Sequence, residues 1–165
     1  MILVYLRRIE WFVALALVQV LVLNNVHIAG YATPFIYIYL IMKISSGVSR
    51  NELVLWGFFL GLIVDIFSNT PGMNAAATTL MAFLRPYFLR LFSPRDDSEE
   101  IVPAISSMGV SSFIKYVITF VLFHHAVLLL IESFSFFDLT SLLIKIASST
   151  LLTVLCVMCI EGIKK

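Results

Sequence analysis

Long apolar runs separated by short polar connections dominate this chain. A helix needs about 20 apolar residues, with a range of about 17–25, to cross the hydrocarbon core of a bilayer. The runs predict six membrane-spanning helices, at residues 11–26, 29–44, 53–67, 73–92, 111–131 and 139–163. The second and third runs are short, and the second carries Pro34 near its start. A re-entrant second segment is therefore the main alternative to six full spans.

The amino-acid composition also indicates that most of the chain lies in lipid rather than in water. Hydrophobic residues make up 61% of the 165 residues and charged residues 13%, and the mean hydropathy is +1.02. Soluble domains are closer to half apolar and a quarter charged. The net charge of +1 provides no basic field of the kind that nucleic-acid binding needs. We therefore expect an all-α, polytopic integral membrane bundle that forms a single domain over residues 1–165.

Lysine and arginine fall on alternate sides of the predicted spans. The first, third and fifth connections contain none, whereas the termini and the second and fourth connections, with the residues beside them, hold nine of the eleven. The nine are Arg7, Arg8, Lys43, Arg50, Arg90, Arg95, Lys115, Lys164 and Lys165. Because such residues favour the cytoplasmic side of short connections, both termini are predicted to be cytoplasmic.

The fourth connection, residues 93–110, is the one sizeable polar loop. Its first part carries one positive and four negative residues, a net charge of −3. These are Arg95, Asp96, Asp97, Glu99 and Glu100. A run of this kind is usually a solvated turn, and the functional alternative is a docking site for a cytoplasmic partner.

One face of the third span combines small residues with a carboxylate. Gly57 and Gly61 form a small-xxx-small pair, which lets two helix backbones approach closely. Asp65 follows four residues later on the same face. The fourth span begins with small and polar residues, including Gly72, Asn74, Ala75 and Thr78. We therefore expect these two spans to pack together, with Asp65 directed at a neighbouring helix.

The other two basic residues lie inside predicted spans, where charged side chains usually face the bundle interior. Lys145 lies roughly 9–10 Å below the external end of the sixth span, near the depth of Asp65. It belongs to a polar stripe of Ser141, Lys145, Ser148, Ser149 and Thr153. Two arrangements remain open: an ion pair between Lys145 and Asp65, or extension of Lys145 to the headgroups.

Arg85 lies about 18 Å below Met73 along the fourth span. It is too far from Asp65 to pair with it, so we expect it to extend toward the cytoplasmic headgroups, near Arg90. Pro86 follows directly and removes a backbone hydrogen bond, which favours a kink at this point.

The sequence contains none of the familiar catalytic or metal-binding motifs. GxSxG, HExxH, the P-loop and the dinucleotide fingerprint are absent. His124 and His125 are adjacent, so they face about 100° apart on a helix and are expected to bond within the bundle rather than chelate a metal. Cys156 and Cys159 share a face at lipid depth without further ligands. No catalytic residue, metal or cofactor is predicted.

The stretch that joins the third and fourth spans carries a recognisable pattern. Gly61, Leu62, Asp65, Gly72 and Ala75 match a Gly-Leu-x-x-Asp core, a short polar turn with glycine, and an Ala-rich helix. This pattern resembles the bacterial rod shape-determining protein MreD family. The likeness extends over the whole chain in length, span number and a short basic C-terminus. The turn that contains Pro71, and the Arg85-Pro86 pair, depart from the family pattern as a subgroup variant would.

The resemblance implies a non-enzymatic, multi-pass subunit of the cell-wall elongation machinery in the cytoplasmic (inner) membrane. Members of the family act with the scaffold MreC, MreB filaments, the RodA-type glycosyltransferase and an elongation transpeptidase to control rod shape. The resemblance also implies the architecture of substrate-binding subunits of energy-coupling factor transporters. Vitamin binding, with Asp65, Lys145 and the Ser/Thr stripe lining a pocket, is therefore the alternative function. A membrane aspartyl peptidase that uses Asp65 and Asp138 is a remote one.

Overall fold

The computed structural model describes residues 2–26, 32–93, 100–133 and 138–163, and within these ranges the chain is helical, without strands. The described helices, in chain order, are α1 (Ile2–Leu21), α2 (Ile38–Lys43), α3 (Arg50–Ser68), α4 (Met73–Phe92), α5 (Ile105–Met108), α6 (Val110–Ser133) and α7 (Leu139–Ile163). A 3-10 turn at Leu23–Asn25 follows α1.

Three of the described helices, α3, α6 and α7, are long and apolar enough to cross a membrane. α1 is as long but carries Arg7, Arg8 and Glu10 in its first half, and α4 carries Arg85 and Arg90. α2 has only 6 residues, which cover about 9 Å at the rise of an α-helix. The structure therefore supports a helical membrane protein, whereas helix length and composition alone do not establish six spans.

Two helices at the N-terminal side of the chain differ in their bounds from the predicted spans. The first helix begins at Ile2 rather than at residue 11, because the charged residues near the start continue the helix. The predicted second span, residues 29–44, is not one continuous helix: residues 33–35 form no helix, a turn follows, and α2 begins only at Ile38. Residues 27–31 lie outside the described part of the chain.

The predicted polar loop 93–110 also contains helical structure. α5 lies within it, and α6 begins at Val110. Ile101, in the middle of this loop, is hydrogen-bonded to the connection between α2 and α3. Ser46 N–H donates to the carbonyl oxygen of Ile101 at 2.8 Å, and Ile101 N–H donates to Ser46 Oγ at 2.9 Å. The second and fourth connections therefore lie at the same end of the bundle, as the distribution of basic residues predicts.

The second segment, which is the described part of the predicted second span (residues 32–44), forms the centre of the core. Tyr37, Ile38 and Ile41 are completely buried, because α2 is enclosed by the longer helices. α3 packs on α4, α4 on α6, and α6 on α7. α1 has only three buried residues, Leu15, Ala16 and Gln19. Most of the apolar surface of α1 therefore faces outward.

Candidate functional site

The backbones of α3 and α4 meet with almost no intervening side chain. A Cβ atom added at Gly61 would lie 2.5 Å from the carbonyl oxygen of Asn74 and 2.6 Å from Cα of Ala75. One added at Gly57 would lie 2.9 Å from the carbonyl oxygen of Thr78. Only glycine fits at either position without a shift of backbone, so the close packing follows the predicted small-xxx-small face.

Asp65 uses this close approach to cap α4. Its Oδ2 accepts the main-chain N–H of Ala75 at 2.8 Å, and its Oδ1 accepts the main-chain N–H of Asn74 at 2.9 Å. Oδ1 also accepts the Thr70 hydroxyl and the Asn74 side-chain amide, both at 2.9 Å. Gly72 stands at the usual capping position, with φ of 81° and no side chain. Asp65 therefore supplies from α3 the anion that a helix N-terminus favours.

The proposed ion pair between Asp65 and Lys145 is not formed. The salt bridges within 4 Å among the described residues join Arg8 to Glu52 and Lys43 to Glu161. Lys145 is exposed, whereas Asp65 is 3% exposed. Asp65 and Lys145 do not pair despite their similar predicted depth, because the N-terminus of α4 already provides hydrogen-bond donors to the Asp65 carboxylate.

A chain of hydrogen bonds leads from the cap into the centre of the bundle. Asn74, which donates to Asp65, accepts the Tyr37 hydroxyl at 2.9 Å. The same hydroxyl lies 3.1 Å from Nε2 of His124 on α6. All four side chains are buried. Asn74 thus links the α3–α4 joint to the second segment and to α6, a role that the small-residue pattern did not predict.

Gln19 holds the irregular part of the second segment from one side. Its Oε1 accepts the main-chain N–H of Ile36 at 2.8 Å, and its Nε2 donates to the carbonyl oxygen of Pro34 at 3.0 Å and to Asn24 Oδ1 at 2.9 Å. The Gln19 side chain is completely buried. Backbone that is not helical must find partners inside a membrane protein, because lipid offers none. A side chain on α1 provides them here.

α7 holds the same segment from the other side. Ser149 Oγ accepts the main-chain N–H of Thr33 at 3.1 Å, and Thr153 Oγ1 accepts that of Phe35 at 3.0 Å. Thr153 also lies 3.2 Å from Nε2 of His125. Ser149 and Thr153 of the predicted polar stripe therefore accept hydrogen bonds from backbone N–H groups. Ser148 instead donates to the carbonyl oxygen of Ile144 in its own helix. As predicted, both histidines bond within the bundle.

Arg85 is buried, contrary to the expectation that it extends to the headgroups. It is 2% exposed and donates to the carbonyl oxygens of Met42, at 3.3 Å, and Ile44. These carbonyls lie at the C-terminal end of α2, where acceptors have no helical partner and the dipole favours a cation. α4 continues through Pro86 to Phe92.

A partly buried ion pair joins α2 to α7. Lys43 Nζ lies 3.0 Å from each carboxylate oxygen of Glu161, and the Tyr39 hydroxyl donates to Glu161 Oε2 at 2.8 Å. Glu161 is 8% exposed. From the sequence, Lys43 was predicted only to mark the cytoplasmic side, and no role was predicted for Glu161.

A cavity of about 510 Å³ opens at the other end of the bundle, which the sequence predicts to be external. Its polar lining includes Asn24, Thr33, Asn74, Glu132, Lys145 and Ser149. Asp65 is not among the lining residues, so of the residues expected for solute binding the cavity has Lys145 and, from the polar stripe, Ser149.

No family model, curated protein or solved structure matches this chain. The likeness to the MreD family therefore depends on the residues of the α3–α4 joint and on the whole-chain features that the sequence provides.

The remaining predicted sites divide between the described and undescribed parts of the chain. Arg95, Asp96, Asp97 and Glu99 of the acidic loop lie outside the described residues, while Glu100 is exposed. Within the described residues no three histidine, cysteine, aspartate or glutamate side chains group as metal ligands do. Cys156 and Cys159 are free thiols.

Asp65 and Asp138 have separate environments. Asp65 is buried at the start of α4, whereas Asp138 is exposed and accepts both the main-chain N–H and the hydroxyl of Ser141. These hydrogen bonds hold the pKa of Asp138 below its usual value. Neither carboxylate bonds to the other, so the shared proton that a dicarboxylate peptidase needs has no counterpart in this arrangement.

Three buried polar residues that hold the bundle together were not predicted: Gln19, Tyr37 and Glu161. Gln19 had a detectable signal as a lone polar residue in a long apolar run, and Glu161 had a weaker one as the acidic residue that ends another such run. A polar group at such a position is usually paired inside the bundle. Tyr37 had no such signal, because tyrosine is common at membrane interfaces.

Proposed function

We propose that this chain is a non-enzymatic membrane subunit of the bacterial cell-wall elongation machinery. It would scaffold an MreC-type protein, the RodA-type glycosyltransferase and the elongation transpeptidase, with MreB filaments bound directly or indirectly, and so control rod shape. The observation that carries the proposal is the capping of α4 by Asp65, within the stretch that resembles the MreD family.

Three residues of that stretch have a clear structural task. Gly61 admits the backbone of α4, Gly72 provides a turn with positive φ, and Asp65 caps the helix that follows. The Asp65 carboxylate accepts four hydrogen bonds, which suits a folding role better than proton transfer. The motif thus supports a protein that presents a fixed helix bundle to partners.

The proposal includes six crossings of the cytoplasmic (inner) membrane, in an architecture like that of energy-coupling factor substrate-binding subunits. The second crossing would combine the four non-helical residues 32–35 with eight in the turn and α2. At the rise per residue of a strand and of a helix they would cover about 25 Å, close to the hydrocarbon thickness of about 30 Å. The hydrogen bonds that Gln19, Ser149 and Thr153 accept support this proposal, because they satisfy main-chain N–H groups of the irregular segment.

In-membrane crosslinking tests the scaffold. The tagged protein would be crosslinked in its native cells, and the captured proteins identified by mass spectrometry. We expect an MreC-type protein together with the elongation transpeptidase, and loss of rod shape when the protein is depleted. Capture of ATPase subunits with a transporter core, and unchanged cell shape on depletion, would refute the scaffold proposal.

The external cavity favours one other function, the binding of a small solute for transport. Its volume of about 510 Å³ lies within the range of about 300–1,000 Å³ that ligand sites have. The test is mass spectrometry of small molecules retained by the purified protein. A retained vitamin whose occupancy falls in Lys145→Gln and persists in Ser148→Ala would support transport, since Ser148 does not line the cavity. Loss in neither variant would count against it.

A further inference from the structure

A groove of about 330 Å³ lies between α1 and the C-terminal end of α2. We propose that the protein binds one anionic glycerophospholipid in this groove, with the lipid phosphate at Arg7, Arg8 and Lys43. The proposal does not depend on the scaffold function. It requires only that the helices lie in a membrane.

The groove carries its charges near one end and is apolar along the rest of its length. On α1 its lining passes from Val4, past Arg7 and Arg8, through Trp11 to Leu15. Arg7 and Leu15 are eight residues apart, which is about 12 Å along the helix. A charged rim that leads into an apolar channel matches the headgroup and acyl chain of a phospholipid.

α2 repeats this order in the opposite chain direction. Leu40 lies deeper in the groove, and Lys43 and Ser45 follow toward the rim. Lys43 at the end of α2 therefore lies at the same end of the groove as Arg7 and Arg8 of α1. This end of the bundle also carries the second and fourth connections, so on the predicted orientation the groove opens to the cytoplasmic leaflet. Basic pockets between membrane helices on that side are typical headgroup sites.

The charges at the rim complement a single phosphate diester. Arg8 has a carboxylate partner in Glu52 at 2.7 Å, and Lys43 has one in Glu161 at 3.0 Å. Arg7 has no ion pair within 4 Å among the described residues. Three cations and two carboxylates leave one positive charge at the groove, which equals the charge of one anionic headgroup. The partners of Arg8 and Lys43 also hold those cations in place.

Native mass spectrometry of the protein released from nanodiscs tests the site. The discs would contain equal amounts of phosphatidylglycerol and phosphatidylcholine. We expect one retained lipid with a preference for phosphatidylglycerol. Because each basic residue near the headgroups contributes about 1 kcal/mol, Arg7→Gln should lower the preference about fivefold. Val4→Trp, which places an indole in the groove, should abolish retention.

Two controls make the result specific. Arg90→Gln removes the same charge at the same end of the bundle but outside the groove, and Val18→Trp enlarges an exposed position of α1 that does not line it. Neither should change retention. Equal retention of the two lipids by the unchanged protein would overturn the proposal, as would equal losses in Arg7→Gln and Arg90→Gln. Recovery of a peptide from the groove in place of lipid would also overturn it.

Discussion

The Asp65 carboxylate accepts the main-chain N–H of Ala75 at 2.8 Å, so the last turn of α3 caps the first turn of α4. The residue that caps a helix usually precedes it directly. Here it comes from the neighbouring helix, and Gly61 makes this geometry accessible by letting the two backbones approach. The cap and the close contact therefore depend on one another.

Asp65→Asn should destabilise the bundle by about 2–4 kcal/mol, because hydrogen bonds to a charged acceptor are the strong ones and the buried donors would lose part of their partner. The measurement is thermal or denaturant unfolding in detergent, followed by helical circular dichroism. Asp138→Asn is the matched control, since Asp138 is exposed and asparagine caps a helix as well as aspartate does. Equal losses in the two variants would argue against the cap as a special contact.

Gly61→Ala should cost about 1–3 kcal/mol of unfolding free energy, because the added methyl group meets the backbone of Asn74 and Ala75 and forces the helices apart. The same unfolding measurement would detect it. Gly162→Ala is the control: a Cβ there has no neighbour within 4 Å, so the intrinsic preference for alanine should leave stability unchanged or raise it by up to about 1 kcal/mol. A tolerated Gly61→Ala would contradict the close approach.

Gln19→Leu should loosen the second segment without a large change in packing volume. The main-chain N–H of Ile36 and the carbonyl of Pro34 would lose their partners, at a cost of about 1–3 kcal/mol for each buried group. Hydrogen exchange should become faster at Ile36 than in the unchanged protein. Ser148→Ala, which removes a bond internal to α7, should leave exchange at Ile36 unaltered. Unchanged protection in Gln19→Leu would show that other groups hold the segment.

Lys43 and Glu161 should show strong energetic coupling in unfolding measurements. Lys43→Met alone should cost about 3–5 kcal/mol, because it leaves a buried carboxylate without its cation. Lys43→Met combined with Glu161→Gln should recover much of that loss, since the amide keeps an acceptor for the Tyr39 hydroxyl without a charge. Additive losses in the double variant would mean that the contact is not an ion pair in the membrane.

The four long helices that follow residue 49 were predictable because each contains an apolar run bounded by polar or turn-forming residues. The predicted spans 53–67, 73–92, 111–131 and 139–163 agree closely with α3, α4, α6 and α7. Pro71 and Gly72 separate α3 from α4, and glycine spacing indicated which faces meet. The second segment is not one continuous helix although its residues are as apolar as those of one, because Pro34 and the residue before it disfavour helix.

By itself, the sequence determined that the chain is rich in long apolar helices suited to a membrane, where the four helices after residue 49 lie, and that the Gly57, Gly61 and Asp65 face packs against α4. Only the tertiary structure decided the partners of the buried polar groups. Asp65 bonds to the start of α4 rather than to Lys145, and Arg85 bonds to the end of α2 rather than to headgroups. The physical reason is that sequence spacing sets depth along a helix and direction around it, whereas the partner depends on which unpaired backbone groups the neighbouring helices expose at that depth.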